Sequence, residues 1–264
     1  MTRSADISLD HIAELVISAK KFFDDDQLKS DVHTKGPIDF VTEVDFHVQA
    51  YLQEKLSAEY PDIQFMGEEK NNDEIDFTGL VWILDPVDGT ANLVHDLNAS
   101  AISLGLCDNG KNVLGVVYNP FTDELFTAKK GEGAFLNGKP IHVTDAPDLA
   151  HCMVAGGTSA NHRQMTDWTF DCLKELFNRS EDIRLIGSAA IILTDVAVGR
   201  FGAIFQRYLM PWDYAASQII IEEAGGIVRD FYGNEPPCDR PSSIIATANE
   251  NMMKEMLEIF KPVE

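Results

Sequence analysis

The sequence predicts a protein of α+β and α/β character in two halves. The N-terminal half, residues 1–145, reads as helices packed on a mostly antiparallel sheet. The C-terminal half, 146–264, reads as an α/β unit. Three observations carry this. Apolar runs between residues 101 and 136 are punctuated by the hairpin-type turns Asn109-Gly110 and Asn137-Gly138. Beyond Met153, short strands alternate with helical patterns. Between Thr144 and Leu149, where the character changes, Asp, Ala and Pro accumulate. No internal repeat or low-complexity linker separates the halves, so they are expected to pack closely.

In the N-terminal half, Ser8 can cap a helix running to about Phe23. Ile12, Leu15, Val16, Ala19 and Phe22 recur at helical spacing on one face. Asp24-Asp25-Asp26 ends that pattern and reads as a solvated charge run. Lys35 to Asp45 reads as a turn or loop leading into a helix that ends near Tyr60, before Pro61. Val48, Tyr51, Leu52 and Leu56 face inward on it. Asp45 lies near its start, where the helix dipole favours an anion. Phe65-Met66 reads as a short strand ending in Gly67-Glu68-Glu69. Ala101–Cys107, Val113–Tyr118 and Glu124–Ala128 read as the strands of a meander.

In the C-terminal half the expected strands are Met153–Gly156, Ile183–Ile186, Phe201–Phe205 and Ile244–Thr247. The expected helices are Asn161–Asn178, Ser188–Val198, Asp213–Ala224 and Glu250–Phe260, with Gly225-Gly226 as a stop.

Composition is that of an ordinary globular chain, with 45% hydrophobic and 24% charged residues. The formal charge of −22 is not ordinary. It argues against nucleic acid or an anionic membrane as an electrostatic partner. An anionic ligand would need local positive charge, and bound divalent cations are one source of it. Cys107, Cys152, Cys172 and Cys238 include no Cys-x-x-Cys pair and read as free thiols in a reducing cytosol. No apolar leader follows Met1, and no run approaches the ~18 apolar residues of a membrane span. A cytoplasmic location is expected.

The chain is organised around Val81-Trp82-Ile83-Leu84-Asp85-Pro86-Val87-Asp88-Gly89-Thr90-Ala91-Asn92. Four apolar residues read as a buried strand that ends at Asp85-Pro86, because Pro86 cannot donate to a ladder. Asp85 and Asp88 leave that strand three residues apart, and Asp is rarely buried unless paired or on a metal. Glu68 closes the preceding strand, Asp45 and Asp213 stand at helix starts, and Thr90 follows Asp88. Taken singly, each has an ordinary reading as a turn, a cap or a surface acid. His95 reads as a satisfied partner and Lys35 as a solvent lysine.

Together these segments resemble the inositol monophosphatase family of metal-dependent phosphatases, from about residue 10 to 260. Asp85-Pro86-Val87-Asp88-Gly89-Thr90-Ala91-Asn92 is similar to its central signature, with Gly67-Glu68-Glu69 at the family's spacing upstream. Trp212-Asp213-Tyr214-Ala215-Ala216 followed by Glu223-Ala224-Gly225-Gly226 resembles its C-terminal signature. Asp39-Phe40-Val41-Thr42-Glu43-Val44-Asp45 resembles its N-terminal motif.

The resemblance implies a layered αβαβα sandwich and Mg²⁺-dependent, lithium-sensitive hydrolysis of a small phosphate monoester. It implies a first Mg²⁺ on Glu68, Asp85 and the Val87 carbonyl, and a second on Asp85, Asp88 and Asp213. A third, weaker ion would use Glu68 and water. Thr90, hydrogen-bonded to Asp45, would serve the attacking water. The N–H groups of Gly89 and Thr90 would hold phosphate. Gly187, Ser188, Ala189, Gln206 and Asp213 would meet the rest of the substrate. Lys35 would approach a water of the mobile metal, and the assembly would be a homodimer.

Three positions depart from the family's pattern. Ala91 and Leu93 replace its usual Thr or Met and its Phe, and Gln206 stands where it has an inositol-binding Glu. Inositol monophosphate is the expected substrate. The alternatives are fructose 1,6-bisphosphate, 3′-phosphoadenosine phosphate, histidinol phosphate or a dinucleotide phosphate. A non-catalytic regulatory binding module is a further alternative, and a metal-dependent nuclease is disfavoured by the net charge.

Overall fold

The protein is described from a computed structural model that covers residues 2–36 and 39–260, with the side chains of Lys35 and Asp39 outside the description. The elements of the first half are α1 (Leu9–Ser18), α2 (Lys20–Phe23), α3 (Asp26–Ser30), β1 (Val32–Gly36), β2 (Asp39–Thr42), α4 (Glu43–Glu59), β3 (Gln64–Gly67), β4 (Leu80–Asp88) and α5 (Thr90–Val94). They are followed by β5 (Ala101–Asp108), β6 (Lys111–Asn119), β7 (Glu124–Lys129), β8 (Gly133–Leu136) and β9 (Lys139–Pro140). The second half holds β10 (Met153–Gly156), α6 (Thr166–Arg179), β11 (Asp182–Arg184), α7 (Ala189–Ala197), β12 (Ala203–Leu209), α8 (Pro211–Glu223), β13 (Ile227–Arg229), β14 (Ser242–Thr247) and α9 (Glu250–Ile259).

Strands β3 to β9 form one seven-stranded sheet in sequence order, with β3 parallel to β4 and every other pair antiparallel. The second sheet has the order β11-β10-β12-β14-β13. Its β10–β11 and β10–β12 pairs are parallel and its two pairs with β14 antiparallel. The buried side chains fix how these sheets stack. Ile12 and Val16 of α1 and Val48, Leu52 and Leu56 of α4 share a core with Trp82, Leu84, Leu104, Leu106 and Val116. Ala190 and Leu193 of α7 and Tyr214 and Ile220 of α8 share another with Val117 and Phe126 of the first sheet and Ile204 and Ala246 of the second. Cys172 and Leu176 of α6 and Met252 and Met256 of α9 cover Phe205 and Ile245. The order is therefore helix, sheet, helix, sheet, helix, the expected αβαβα sandwich.

A regular apolar row anchors α4. Val44, Val48, Leu52 and Leu56 recur every four residues and are fully buried. Burying such a side chain contributes about 1.5–3 kcal/mol, so the row holds the helix start, and Asp45 with it, firmly against the sheet.

Several expectations are corrected. The first helix breaks at Ala19, so α1 and α2 are separate. Asp25 caps α3 by accepting the Gln27 N–H at 2.9 Å and the Leu28 N–H at 3.3 Å, where a merely solvated run was expected. Of the stretch read as a turn or loop before α4, Asp39–Thr42 forms β2, which pairs antiparallel with β1. The strand expected to stop at Asp85-Pro86 is β4, which continues to Asp88. The helix expected from Asn161 starts at Thr166, and β8, β9 and β13 were not anticipated.

The four free thiols are also corrected. Cys107 of β5 and Cys238 form a disulfide with Cα atoms 6.9 Å apart, while Cys152 and Cys172 are free and buried. The pair is 131 residues apart in sequence, and only the folding of the chain around residue 238 over β5 brings it together. Among the described residues, no helix is long and apolar enough to cross a membrane.

Candidate active site

The register of β4 builds the site. Asp85 stands opposite Ser103 and Asp88 opposite Ala101, so β4 carries one extra residue between two ladder positions. Strand side chains alternate, and residues three apart on a regular strand point to opposite faces. The bulge at Pro86-Val87 adds the residue that returns Asp88 to the face of Asp85. It also removes the need for an N–H at Pro86. The Val87 N–H donates instead to Asp85 Oδ1 at 3.0 Å.

Asp213 arrives from α8, whose first turn points its acid into the same space. Met210 N–H donates to Asp213 Oδ2 at 2.7 Å and fixes the carboxylate. One oxygen each from Asp85, Asp88 and Asp213 then lie within 4.8 Å of one another. Asp85 is 2% exposed and Asp88 8%. Glu68 follows β3 directly, and its N–H donates to Leu84 O at 3.2 Å, beside Asp85.

Burial, and then the charges of Glu68, Asp88 and Asp213, push the Asp85 carboxyl well above its ordinary range. Burial, and then Asp88 and Glu68, do the same to Asp213. Burial also raises Asp88, and bonds from Ser188, Ala190 and Ala189 partly oppose it. Two unit charges ~4 Å apart repel by about 4 kcal/mol at an effective dielectric of 20. Three carboxylate oxygens converge here. This donor set fits a hard divalent cation that takes carboxylates and water.

Asp45 sits at the third position of α4 in a capping box, accepting the Thr42 N–H at 2.8 Å and the Thr42 hydroxyl at 2.7 Å on Oδ2. Its Oδ1 faces the Thr90 hydroxyl at 3.2 Å, and that hydroxyl also reaches the Val87 carbonyl at 2.9 Å. Asp45 is fully buried, and that burial pushes its carboxyl up to about 6 against the bonds from Thr42. Thr90 has one hydrogen for two acceptors, which leaves its oxygen open to accept another.

The substrate-side residues are placed unevenly. The turn at Gly187 lies against the turn at Gly89, which adopts φ 86°; a Cβ there would stand 3.1 Å from Ser188 Cβ. The polar groups of Ser188 and Ala189 are already engaged. The Ser188 hydroxyl donates to Asp88 Oδ2, the Ala190 N–H donates to the same atom at 2.8 Å, and the Ala189 N–H donates to Oδ1 at 3.2 Å. Gln206 lies on β12 with its side chain over Gly157, where a Cβ would come within 1.5 Å of Oε1. Among the described residues that buried oxygen has no hydrogen-bond partner. His95 is exposed, and its ring stands perpendicular to that of Phe40 with centroids 6.5 Å apart. The Lys35 side chain lies outside the described residues.

Two contributors were missed in the sequence. Asn92 Nδ2 donates to Ala99 O at 2.7 Å and to Ile186 O at 2.9 Å, tying α5 to the turn before α7. Thr42 had a readable signal, since Thr-x-x-Asp ahead of an apolar run is a capping box.

Fold and site define a sandwich with an acidic centre of Asp85, Asp88 and Asp213 at the end of β4. Residues 3–263 match the inositol monophosphatase family. "Nus factor SuhB" of Escherichia coli (strain K12) is 38% identical over 199 residues, covering 75% of this chain and 74% of that protein. "Inositol monophosphatase" of Mesembryanthemum crystallinum is 35% identical over 243 residues, covering 90% and 89%. The crystal structure of inositol monophosphate-bound SaIMPase-II matches with a TM-score of 0.81 at 30% identity, covering 96% of this chain and 93% of that one. The chain belongs to the inositol monophosphatase family.

Proposed function

We propose that the protein hydrolyses a small phosphate monoester with Mg²⁺, and that inositol monophosphate is its substrate. The observation that carries this is the convergence of Asp85, Asp88 and Asp213, all raised above their ordinary carboxylate range by burial, with neighbouring charges adding to it at Asp85 and Asp213. A relative of similar fold that binds inositol monophosphate supports the substrate.

Glu68, Asp85 and the Val87 carbonyl would hold one ion, and Asp85, Asp88 and Asp213 a second. Glu68 would serve a weaker third. Bound there, Mg²⁺ supplies neutralisation of phosphate oxygens, a lowered pKa for the attacking water and stabilisation of the leaving oxygen. The chain's own residues do the remaining work. Thr90 Oγ1 accepts a proton from the attacking water while its own proton is directed to Asp45 Oδ1. The buried Asp45, held by Thr42, is a poised acceptor for it. The N–H groups of Gly89 and Thr90 face the phosphate. The turn at Gly187, Ser188 and Ala189 presents main chain and methyl surface to the alcohol portion, because its hydroxyl and N–H donors hold Asp88. Gln206 contacts the hydroxyl-bearing side of the substrate.

By family resemblance we extend this to inhibition by Li⁺ and to a homodimer. A screen of phosphorylated metabolites with Mg²⁺ tests the reading. Turnover of inositol monophosphate above the other phosphomonoesters, abolished by EDTA, is expected. Undiminished turnover in excess EDTA would sink the mechanism, and a better sugar or nucleotide phosphate would replace the substrate. Silence across the panel would favour a regulatory binding module, a reading prompted by the relative that carries the name Nus factor.

A further inference from the structure

A second donor cluster lies outside the acidic centre, at the base of the β1–β2 hairpin. Asp31 follows α3, His33 is on β1, and Glu43 is the first residue of α4. One donor atom from each lies within 4.8 Å of the other two. His33 Nε2 is 3.0 Å from Glu43 Oε1 and 3.6 Å from Asp31 Oδ1. We propose that Asp31, His33 and Glu43 form a binding site for a borderline divalent cation of the Zn²⁺ class, distinct from the Mg²⁺ centre.

The distances suit such an ion. Zn²⁺ bonds to imidazole nitrogen and carboxylate oxygen at about 2.0–2.2 Å, so neighbouring donors of a tetrahedral site stand roughly 3.4 Å apart. The separations of 3.0 and 3.6 Å fall on either side of that value. Three protein donors leave the fourth position to water. One neutral imidazole and two carboxylates carry a charge of about −2, which a divalent ion neutralises.

The donor chemistry separates the two sites. Mg²⁺ prefers an all-oxygen octahedron, which the Asp85 centre offers. An imidazole with two carboxylates favours Zn²⁺, Ni²⁺ or Cu²⁺. The imidazole also distinguishes this cluster from the many carboxylate groupings on a surface of net charge −22.

The geometry is held by the backbone before any ion binds. The Glu43 N–H donates to Asp31 O at 3.1 Å, and Val32 pairs with Thr42 while His33 pairs with Val41. His47, one turn along α4, places Nδ1 2.7 Å from Glu43 O and 3.6 Å from Glu43 Oε2. It therefore donates Nδ1–H to that carbonyl. A proton on His33 Nε2 satisfies the same two carboxylates, so ion and proton compete for one atom. An ion bound here ties the hairpin to the start of α4, two residues before Asp45.

The test uses the full chain with Mg²⁺ in excess. Zn²⁺ binding is followed by calorimetry, and Cu²⁺ by its electron paramagnetic resonance spectrum, in which nitrogen coupling reports an imidazole ligand. One Zn²⁺ site and a nitrogen-coupled Cu²⁺ spectrum are expected. Both should be lost in His33→Ala, an exposed residue whose replacement leaves the core untouched. Glu43→Gln should weaken Zn²⁺ by at least the roughly 10- to 100-fold that loss of an outer partner already costs. Asp85→Asn should leave this binding in place, which separates the site from the acidic centre whatever reaction that centre performs. Zn²⁺ binding that persists unchanged in His33→Ala overturns the proposal. So does the absence of binding at micromolar Zn²⁺, or a Cu²⁺ spectrum with no nitrogen coupling.

Discussion

The Asp88 carboxylate at the end of β4 accepts the Ala190 N–H at 2.8 Å, across 102 residues of chain. One side chain thus serves both the acidic centre and the first turn of α7, which Ser188 also caps through Ile191. A carboxylate that accepts backbone N–H groups at a helix start is favoured in its charged form. Here that effect works against the burial that raises it.

Asp88→Asn is therefore expected to lower kcat/KM by about 10³-fold, because the amide removes the charge and keeps one acceptor oxygen. Far-UV circular dichroism should remain native. Ser188→Ala separates the two roles. It removes a cap and should cost about 1 kcal/mol of stability while leaving kcat within a few-fold. Near-wild-type kcat/KM for Asp88→Asn at low Mg²⁺ would remove Asp88 from the centre.

Thr90 touches both Asp45 and Val87 through one hydroxyl. Thr90→Ala should depress kcat strongly and Mg²⁺ affinity little, and Thr90→Ser should restore much of the rate. Steady-state kinetics across a Mg²⁺ titration distinguish these effects. A change confined to Mg²⁺ affinity would show that Thr90 acts on the ion and not on the proton.

The sequence disclosed more of the site than of the path to it. The alternation after Met153 and the Asn-Gly turns marked the two sheets, since both are local signals. Asp85, Asp88 and Asp213 were legible as a motif, yet nothing local showed that a bulge at Pro86-Val87 turns the first two to one face. Bulges are set by pairing, and the Ala101 and Ser103 partners lie more than a dozen residues downstream. The Cys107–Cys238 disulfide and the Asp88–Ala190 bond were hidden for the same reason. The β1–β2 hairpin escaped because Gly36-Pro37 looks like an open loop, and its pairing shows only in the register of Val32 with Thr42.

Acidic groups raised by burial make the metal-free protein sensitive to rising pH. Asp45 moves from 3.8 to about 6, and Asp85 and Asp213 lie well above their ordinary values. A folded state that holds protons more tightly than the unfolded chain gains stability below the unfolded pKa of about 4. It loses that gain as pH rises through the folded values, at about 6 for Asp45. Mg²⁺ needs the deprotonated carboxylates, so its stabilisation should run the other way. The increase in Tm on replacing EDTA with Mg²⁺ should be larger at about pH 8 than at about pH 5. An equal or smaller increase at the higher pH would mean that these carboxylates do not meet the ion.

Gly89 is held at φ 86°, and a Cβ there would stand 3.0 Å from Ala99 O and 3.1 Å from Ser188 Cβ. Gly89→Ala should cost on the order of 1–3 kcal/mol through strain and contact. It should also lower kcat, because Thr90 follows directly. A Tm within a degree of wild type would show that the turn relaxes freely.

Gln206 offers the sharpest test of substrate. Its Oε1 is buried over the bare Cα of Gly157, without a hydrogen-bond partner among the described residues. Where the family carries Glu, an amide here keeps one acceptor, adds an NH₂ donor and drops the charge. Hydrogen bonds to charged groups contribute roughly 1.5–3 kcal/mol against about 1 for neutral ones. The difference corresponds to roughly 2- to 30-fold weaker use of inositol monophosphate. The amide in turn suits a substrate with an acceptor or a second anionic group, which a carboxylate would repel. Gln206→Glu should accordingly raise the ratio of kcat/KM for inositol monophosphate to that for the best alternative substrate. Both constants are measured in both proteins, and an unchanged ratio would mean that position 206 does not select the substrate.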